Sequence, residues 1–168
     1  SKAGEIKNLS KLIQPHIGVI TNIGEAHIEN FENIHGIAKA KSEIIENISE
    51  GGTIILNRDD KFFNYLSQKA KSYKLKISTF GYHKKSDIRI KKIIKKGNNS
   101  KIFIKMNNKI IDLKIKDLNI YNVLASIAIL KKLKIDIYKI KAKLKNFESP
   151  EGRGKKYSII RYKKKFNL

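Results

Sequence analysis

Apolar and polar positions fall into three patterns along this chain. Residues 16–23 (HIGVITNI) and 53–57 (TIILN) are short, β-branched and apolar almost without interruption, the pattern of strands covered on both faces. Between them, Ile34, Ile37, Ile44 and Ile48 recur at three- and four-residue steps, which predicts a helix over 34–48 ended by Gly51 and Gly52. The stretch DDKFFNYLSQKAKSY predicts a second helix with Asp59 or Asp60 as N-cap. KISTFG then reads as a third strand. Strands and helices alternating with short loops predict an α/β fold, a mostly parallel, doubly wound sheet.

From 87 to 116 the period drops to two, and the turn signals GNNS and NNK split the segment into three runs. That is an antiparallel meander attached to the main sheet. Helices follow over 120–133 and 137–147, then the loop ESPEGRG and a last strand, KYSIIRY. There is no internal repeat and no flexible linker, so one domain is expected.

The first helical stripe has an anomaly. Lys41 completes its rhythm and so faces inward, while Lys39 turns to solvent. Burial penalises the charged form of an amine. A neutral Lys41 is a nucleophile, and it also adds carbon dioxide to become a carbamate, a carboxylate-like magnesium ligand. The alternative is a lysine whose stem covers apolar surface and whose charge reaches water.

His27 lies just past the carboxyl end of the first strand, the edge where open α/β sheets bind ligands. It is either a metal or phosphate ligand or an ordinary loop histidine, flanked by Glu25 and Glu29 as further oxygen donors. Asn119 and Asn122 share a face at the start of an apolar helix. Both could cap it, or one could offer its carboxamide to a purine. Arg153, between two glycines, is open to close approach by a phosphate or ribose.

Composition narrows the choice of function. The formal charge of +22 first suggests nucleic acid. Yet the arginines are only Arg58, Arg89, Arg153 and Arg161, and the lysines are spread over every segment, whereas base and phosphate readers rely on arginine. Abundant Lys, Ile and Asn together match an AT-rich coding sequence. A basic nucleic-acid-binding protein stays as the alternative of another class, with KKYSIIRYKKK as its best segment. No run reaches the roughly 20 apolar residues of a membrane span. The absence of cysteine excludes disulfides and cysteine-ligated metal, and points to a cytoplasmic setting.

Taken together, TNIGEAHIENFENIHGIAKAKSEI, GGTIILNRDD, LNIYNVLASIAI and EGRG, in this order and spacing, resemble the central ATP-binding domain of the Mur ligases. The likeness covers essentially the whole chain, and GEI at positions 4–6 fits the segment after a family glutamate. Its most specific feature is a histidine fourteen positions before a lysine preceded by alanine, His27 and Lys41. The resemblance implies magnesium and ATP as cofactors. It makes His27 a magnesium ligand and Lys41 the carbamylated lysine, both catalytic. Asn119 and Asn122 become adenine contacts, and Arg153 approaches the nucleotide. The blocks fit best the branch that joins UDP-N-acetylmuramoyl-tripeptide to D-alanyl-D-alanine in peptidoglycan synthesis, as a full-length monomer bound to neither nucleic acid nor membrane.

Two departures qualify this. Leu118 stands where the adenine motif usually carries histidine, and no GxxGKT phosphate loop occurs. The sheet is therefore expected to be incomplete at both ends. Residues 1–168 are expected to be a central domain without its phosphate loop, its UDP-binding domain or its C-terminal domain, inactive alone. Another Mur ligase, or folylpolyglutamate synthase, is the alternative within the enzymes. The latter's signature carries serine-isoleucine-glycine after the strand and an aspartate before the histidine, and TNIGEAH fits it less well.

Overall fold

The computed structural model describes residues 2–24, 31–97, 99–116, 118–145, 158–161 and 164–167. Among them the order is α1 (Glu5–Ile13), β1 (Ile17–Ile20), α2 (Ile34–Ser42), a 3-10 turn (Glu43–Asn47), β2 (Thr53–Asn57), α3 (Phe63–Ser72) and β3 (Lys76–Gly81). The meander β4 (Ile88–Lys96), β5 (Asn99–Met106) and β6 (Lys109–Lys116) follows, then α4 (Ile120–Lys132), α5 (Ile137–Lys145), β7 (Ser158–Arg161) and β8 (Lys164–Asn167).

Strands β1 to β6 form one sheet in sequence order. β1, β2, β3 and the start of β4 are parallel, with Ile17 opposite Thr53, Thr53 opposite Lys76 and Phe80 opposite Ile88. The β4–β5 and β5–β6 pairs are antiparallel. The fold is thus the expected mostly parallel sheet with a meander joined to its edge. Met106 pairs with Lys109, and the two residues between them, Asn107 (φ 47°) and Asn108 (φ 61°), are both left-handed. A two-residue hairpin whose twist matches its strands requires that conformation, and asparagine tolerates it.

β2 is fully buried because it is sandwiched. Ile54 and Leu56 pack with Ile37, Ala38 and Ile45 of α2 and its 3-10 turn, and with Leu66 and Ala70 of α3. Ile55 faces the other way, against Phe80, the meander and Val123, Leu124 and Ile127 of α4. Each such side chain contributes roughly 1.5–3 kcal/mol on burial, so this strand anchors both layers.

Several expectations need correction. The first helix ends at Ser42 and tightens into the 3-10 turn, which brings Ile45, not Ile44, to full burial. α3 begins at Phe63 with Phe62 at the cap position and no side-chain cap; Asp59 is bonded elsewhere, and Asp60 accepts from the N–H of Phe62, ahead of the helix, and from a distant loop. α1 has no counterpart in the sequence reading. It is held from a distance by Glu43, whose carboxylate accepts from the backbone N–H groups of Gly4 (2.8 Å) and Lys7 (3.0 Å). The last strand pairs with a further strand, β8. No helix among the described residues is long and apolar enough to cross a membrane.

Candidate functional site

The carboxyl ends of β1, β2 and β3 gather polar side chains from four elements. Lys41 reaches this edge from the last turn of α2. Helical side chains lean toward the helix N-terminus, and its amine donates to the carbonyl of Asn22, two residues past β1, at 3.0 Å. Its stem lines a cavity of about 230 Å³ with Ile6, Val19, Ile20, Thr21, Asn22 and Ile44. Lys41 is half-buried rather than enclosed in the core, while Lys39 is exposed as expected. Burial lowers the Lys41 pKa below the ordinary lysine value of 10.5, and the nearby Asp60 carboxylate offsets only part of this.

The sign of this shift has a stability consequence. The folded-state pKa is the lower one, so between it and 10.5 the unfolded chain holds more protons. Stability therefore rises with pH across that window, as the cost of burying a charged Lys41 is relieved. With lysines carrying ¹³C-dimethyl labels, the Lys41 resonance, assigned with Lys41→Arg, is expected to titrate below 10.5. Titration at or above that value would contradict the burial.

Asp60 ties the loop after β2 to the one after β1. Its Oδ2 accepts from the Ile23 N–H at 2.6 Å, and its Oδ1 from the Phe62 N–H at 2.8 Å. Asp59 clips the opposite side. It accepts from the N–H groups of Tyr82 (2.6 Å) and His83 (2.9 Å), and from the Tyr121 hydroxyl at 3.3 Å. The Tyr82 and Tyr121 rings meet edge to face at 6.3 Å. Both phenol pKa values are raised, by burial first and then by Asp59. These contacts place the start of α4 beside the same edge as Lys41.

Asn119 is the N-cap of α4: its Oδ1 accepts from the N–H groups of Tyr121 (2.9 Å) and Asn122 (3.3 Å). The cap uses only the oxygen, and the NH₂ of Asn119 and the exposed carboxamide of Asn122 face solvent. The structure therefore brings Lys41, Asn119 and Asn122 to one edge of the sheet. His27, its neighbours Glu25 and Glu29, and Arg153 with its ESPEGRG loop lie outside the described residues. Sequence reasoning missed Asn22, Tyr82 and Tyr121, and saw Asp59 and Asp60 only as caps. The NRDD run itself, two acids directly after a buried strand, was the available signal.

The donor set also bears on a metal. Among the described residues no three His, Asp or Glu side chains converge on one point, and a protonated Lys41 repels a cation. The oxygens of Asp60 and Asn22 are hard donors of the kind magnesium takes. A neutral Lys41 amine that has added carbon dioxide, releasing a proton, supplies a further one. With Lys41 a protonated amine, the described residues do not fit magnesium; a carbamate at residue 41 is what would change the donor set.

Comparison with known proteins identifies the family and the fold. The model of the Mur ligase middle domain matches residues 1–130. The chain is 34% identical over 113 residues to UDP-N-acetylmuramoyl-tripeptide–D-alanyl-D-alanine ligase of Rickettsia prowazekii, covering 67% of this chain and 25% of that one. A crystal structure of MurF from Acinetobacter baumannii superposes with a TM-score of 0.84 at 26% identity, over 99% of this chain and 36% of that one. MurF of Thermotoga maritima in complex with ADP shares the fold with a TM-score of 0.77 at 23% identity, over 94% of this chain and 36% of that one.

Proposed function

Since the chain belongs to the Mur ligase family through its middle domain, we propose that it is the central, nucleotide-binding part of an ATP-dependent ligase. That enzyme adds D-alanyl-D-alanine to UDP-N-acetylmuramoyl-tripeptide during peptidoglycan synthesis. The observation that carries the reading is Lys41: an amine of lowered pKa held at the carboxyl end of a parallel strand, next to a carboxylate.

In this proposal the carbamate of Lys41 and the imidazole of His27 would hold magnesium, which would offset charge developing on phosphoryl oxygens. Asn119 and Asn122 offer carboxamide N–H and C=O groups to adenine, and Arg153 approaches the ribose or phosphates. ADP is what the Thermotoga neighbour binds. The reaction follows from substrate chemistry. A carboxylate oxygen of the tripeptide attacks the γ-phosphorus of ATP, and ADP leaves. The amine of D-alanyl-D-alanine then attacks the acyl carbon, loses a proton, and phosphate leaves as the amide forms. The chain's own part is to position the nucleotide and to keep an anionic oxygen at residue 41.

The chain spans a quarter of the Rickettsia relative and about a third of the Acinetobacter chain, and residues 1–168 contain no GxxGKT loop. The phosphate loop, the UDP-binding domain and the C-terminal domain are accordingly assigned to other parts of such a ligase. The working protein is a cytoplasmic monomer, and the 168 residues alone are inactive. The test is an assay of the full-length protein for ATP-dependent release of phosphate with the tripeptide nucleotide and D-alanyl-D-alanine. Turnover with a single amino acid or with a folate in place of these substrates would overturn the assignment.

Asn119 has two duties here, and they separate. Asn119→Ser keeps an N-cap and removes the carboxamide. It is expected to raise the KM for ATP by about tenfold, the scale of a lost hydrogen-bonding pair, with an unchanged melting temperature. Asn119→Ala is expected to show the same KM and a further loss of about 1 kcal/mol in stability. An unaltered KM in Asn119→Ser would leave the residue as a cap alone.

A further inference from the structure

Beyond Lys41, the same edge of the sheet carries a second cavity, of about 180 Å³, lined by Arg58, Asp60, Lys61, Phe63, Asn64 and His83. We propose that it is an oxyanion-binding site, reading a phosphate or carboxylate group through Arg58 and His83. This inference stands apart from the ligase reading and needs no turnover to test.

Arg58 is pre-positioned from three sides. Its backbone N–H donates to the Phe80 carbonyl at 2.8 Å, extending the β2–β3 ladder by one residue. Its guanidinium lies 4.7 Å from the Phe63 ring centre. Its Nε donates to His83 Nδ1 at 3.0 Å. Such a fork loses little side-chain freedom on binding. With Nε engaged, both terminal amino groups remain available, and among the described residues no carboxylate pairs with Arg58. That is the geometry for bidentate recognition of a planar or tetrahedral oxyanion.

His83 adds a donor. Its Nδ1 accepts from both Arg58 Nε and the Lys85 N–H (3.1 Å), so the ring proton resides on Nε2. The ring is fixed in turn by the His83 N–H bond to Asp59. Asp60 on the cavity wall is the one opposing charge, and its two oxygens already accept from Ile23 and Phe62. Lys61, also on the wall, adds a cation. The choice of arginine is informative in this chain. Of 37 basic residues only Arg58, Arg89, Arg153 and Arg161 are arginines, and arginine offers the planar fork that lysine lacks. The volume lies below the roughly 300 Å³ of small-molecule pockets. It has room for a charged group and a few waters, not for a nucleoside.

The experiment is calorimetric titration of the nucleotide-free, full-length protein with inorganic phosphate and, separately, malonate, at ionic strength held constant with chloride. A saturable site of millimolar Kd is expected for one or both anions, and the tighter one identifies the group recognised. Arg58→Gln is expected to weaken that site by about tenfold, the scale for one charged hydrogen-bonding partner. Arg58→Lys keeps the charge but not the fork, and is expected to lose several-fold with an unchanged melting temperature. This second variant keeps the test decisive if Arg58→Gln unfolds. Absence of saturable binding by either anion, or binding that Arg58→Lys leaves unaltered, would overturn the proposal.

Discussion

Lys41→Ala in the full-length protein is expected, on the proposed ligase reading, to lower kcat by about 10²–10³, the scale for deleting one preorganised charge-stabilising group. The chain is expected to lose less than about 1 kcal/mol of stability, because removing a half-buried amine also removes its desolvation cost. Activity and stability therefore part company at this position. Lys41→Arg sharpens the test. Guanidinium keeps the positive charge and reaches a similar distance, but it cannot add carbon dioxide. If the residue acts as a cation, arginine restores much of the rate; if it acts as a carbamate, arginine is as dead as alanine. Formate or acetate added to Lys41→Ala then recovers part of the activity by placing a free carboxylate where the lysine side chain had been, on the wall of the cavity it lines. It recovers none in Lys41→Arg, where the side chain still fills the space. A fully active Lys41→Arg would end the carbamate assignment.

Lys41 was legible in the sequence because it interrupts an apolar stripe, a signal that depends on one helix only. β2 was legible because its apolar run is short, β-branched and bounded by Gly51–Gly52 on one side and NRDD on the other, which favours a buried strand. Asn119 was legible as the polar residue just ahead of an apolar helix. α1 was passed over, although Ile6, Leu9, Leu12 and Ile13 recur at helical steps; Leu9, Leu12 and Ile13 are exposed, so the stripe does not point to what holds the helix. What holds it is Glu43, more than thirty positions away. Asp59 and Asp60 were misread for the same physical reason. Local chemistry makes an acid before a helix a natural cap, but here distant N–H groups compete for the carboxylates: Ile23 for Asp60, Tyr82 and His83 for Asp59. The shift of full burial from Ile44 to Ile45 is a change of helical pitch that a fixed 3.6-residue period cannot register.

Gly81→Ala is expected to cost about 2–4 kcal/mol through backbone strain and a displaced carboxylate together. Gly81 ends β3 at φ 140°, and a Cβ there would sit 2.5 Å from Asp59 Oδ2 and 2.7 Å from its carboxyl carbon. The close approach is what allows the Asp59 carboxylate to accept from both Tyr82 and His83 just past the strand. Those bonds in turn set the ring of His83 and, through Tyr121, the start of α4. Gly97→Ala is the control: its φ of 57° is also left-handed, but the added methyl meets open space, so only about 1 kcal/mol is expected. The two terms in Gly81→Ala separate in a double-mutant cycle with Asp59→Gly, measured by urea unfolding. Once the carboxylate is gone, the alanine at 81 should cost only its backbone strain, so the pair should be less damaging than the sum of the single changes. Strict additivity would mean that the alanine methyl does not press on the Asp59 carboxylate, leaving backbone strain as the whole cost of Gly81→Ala.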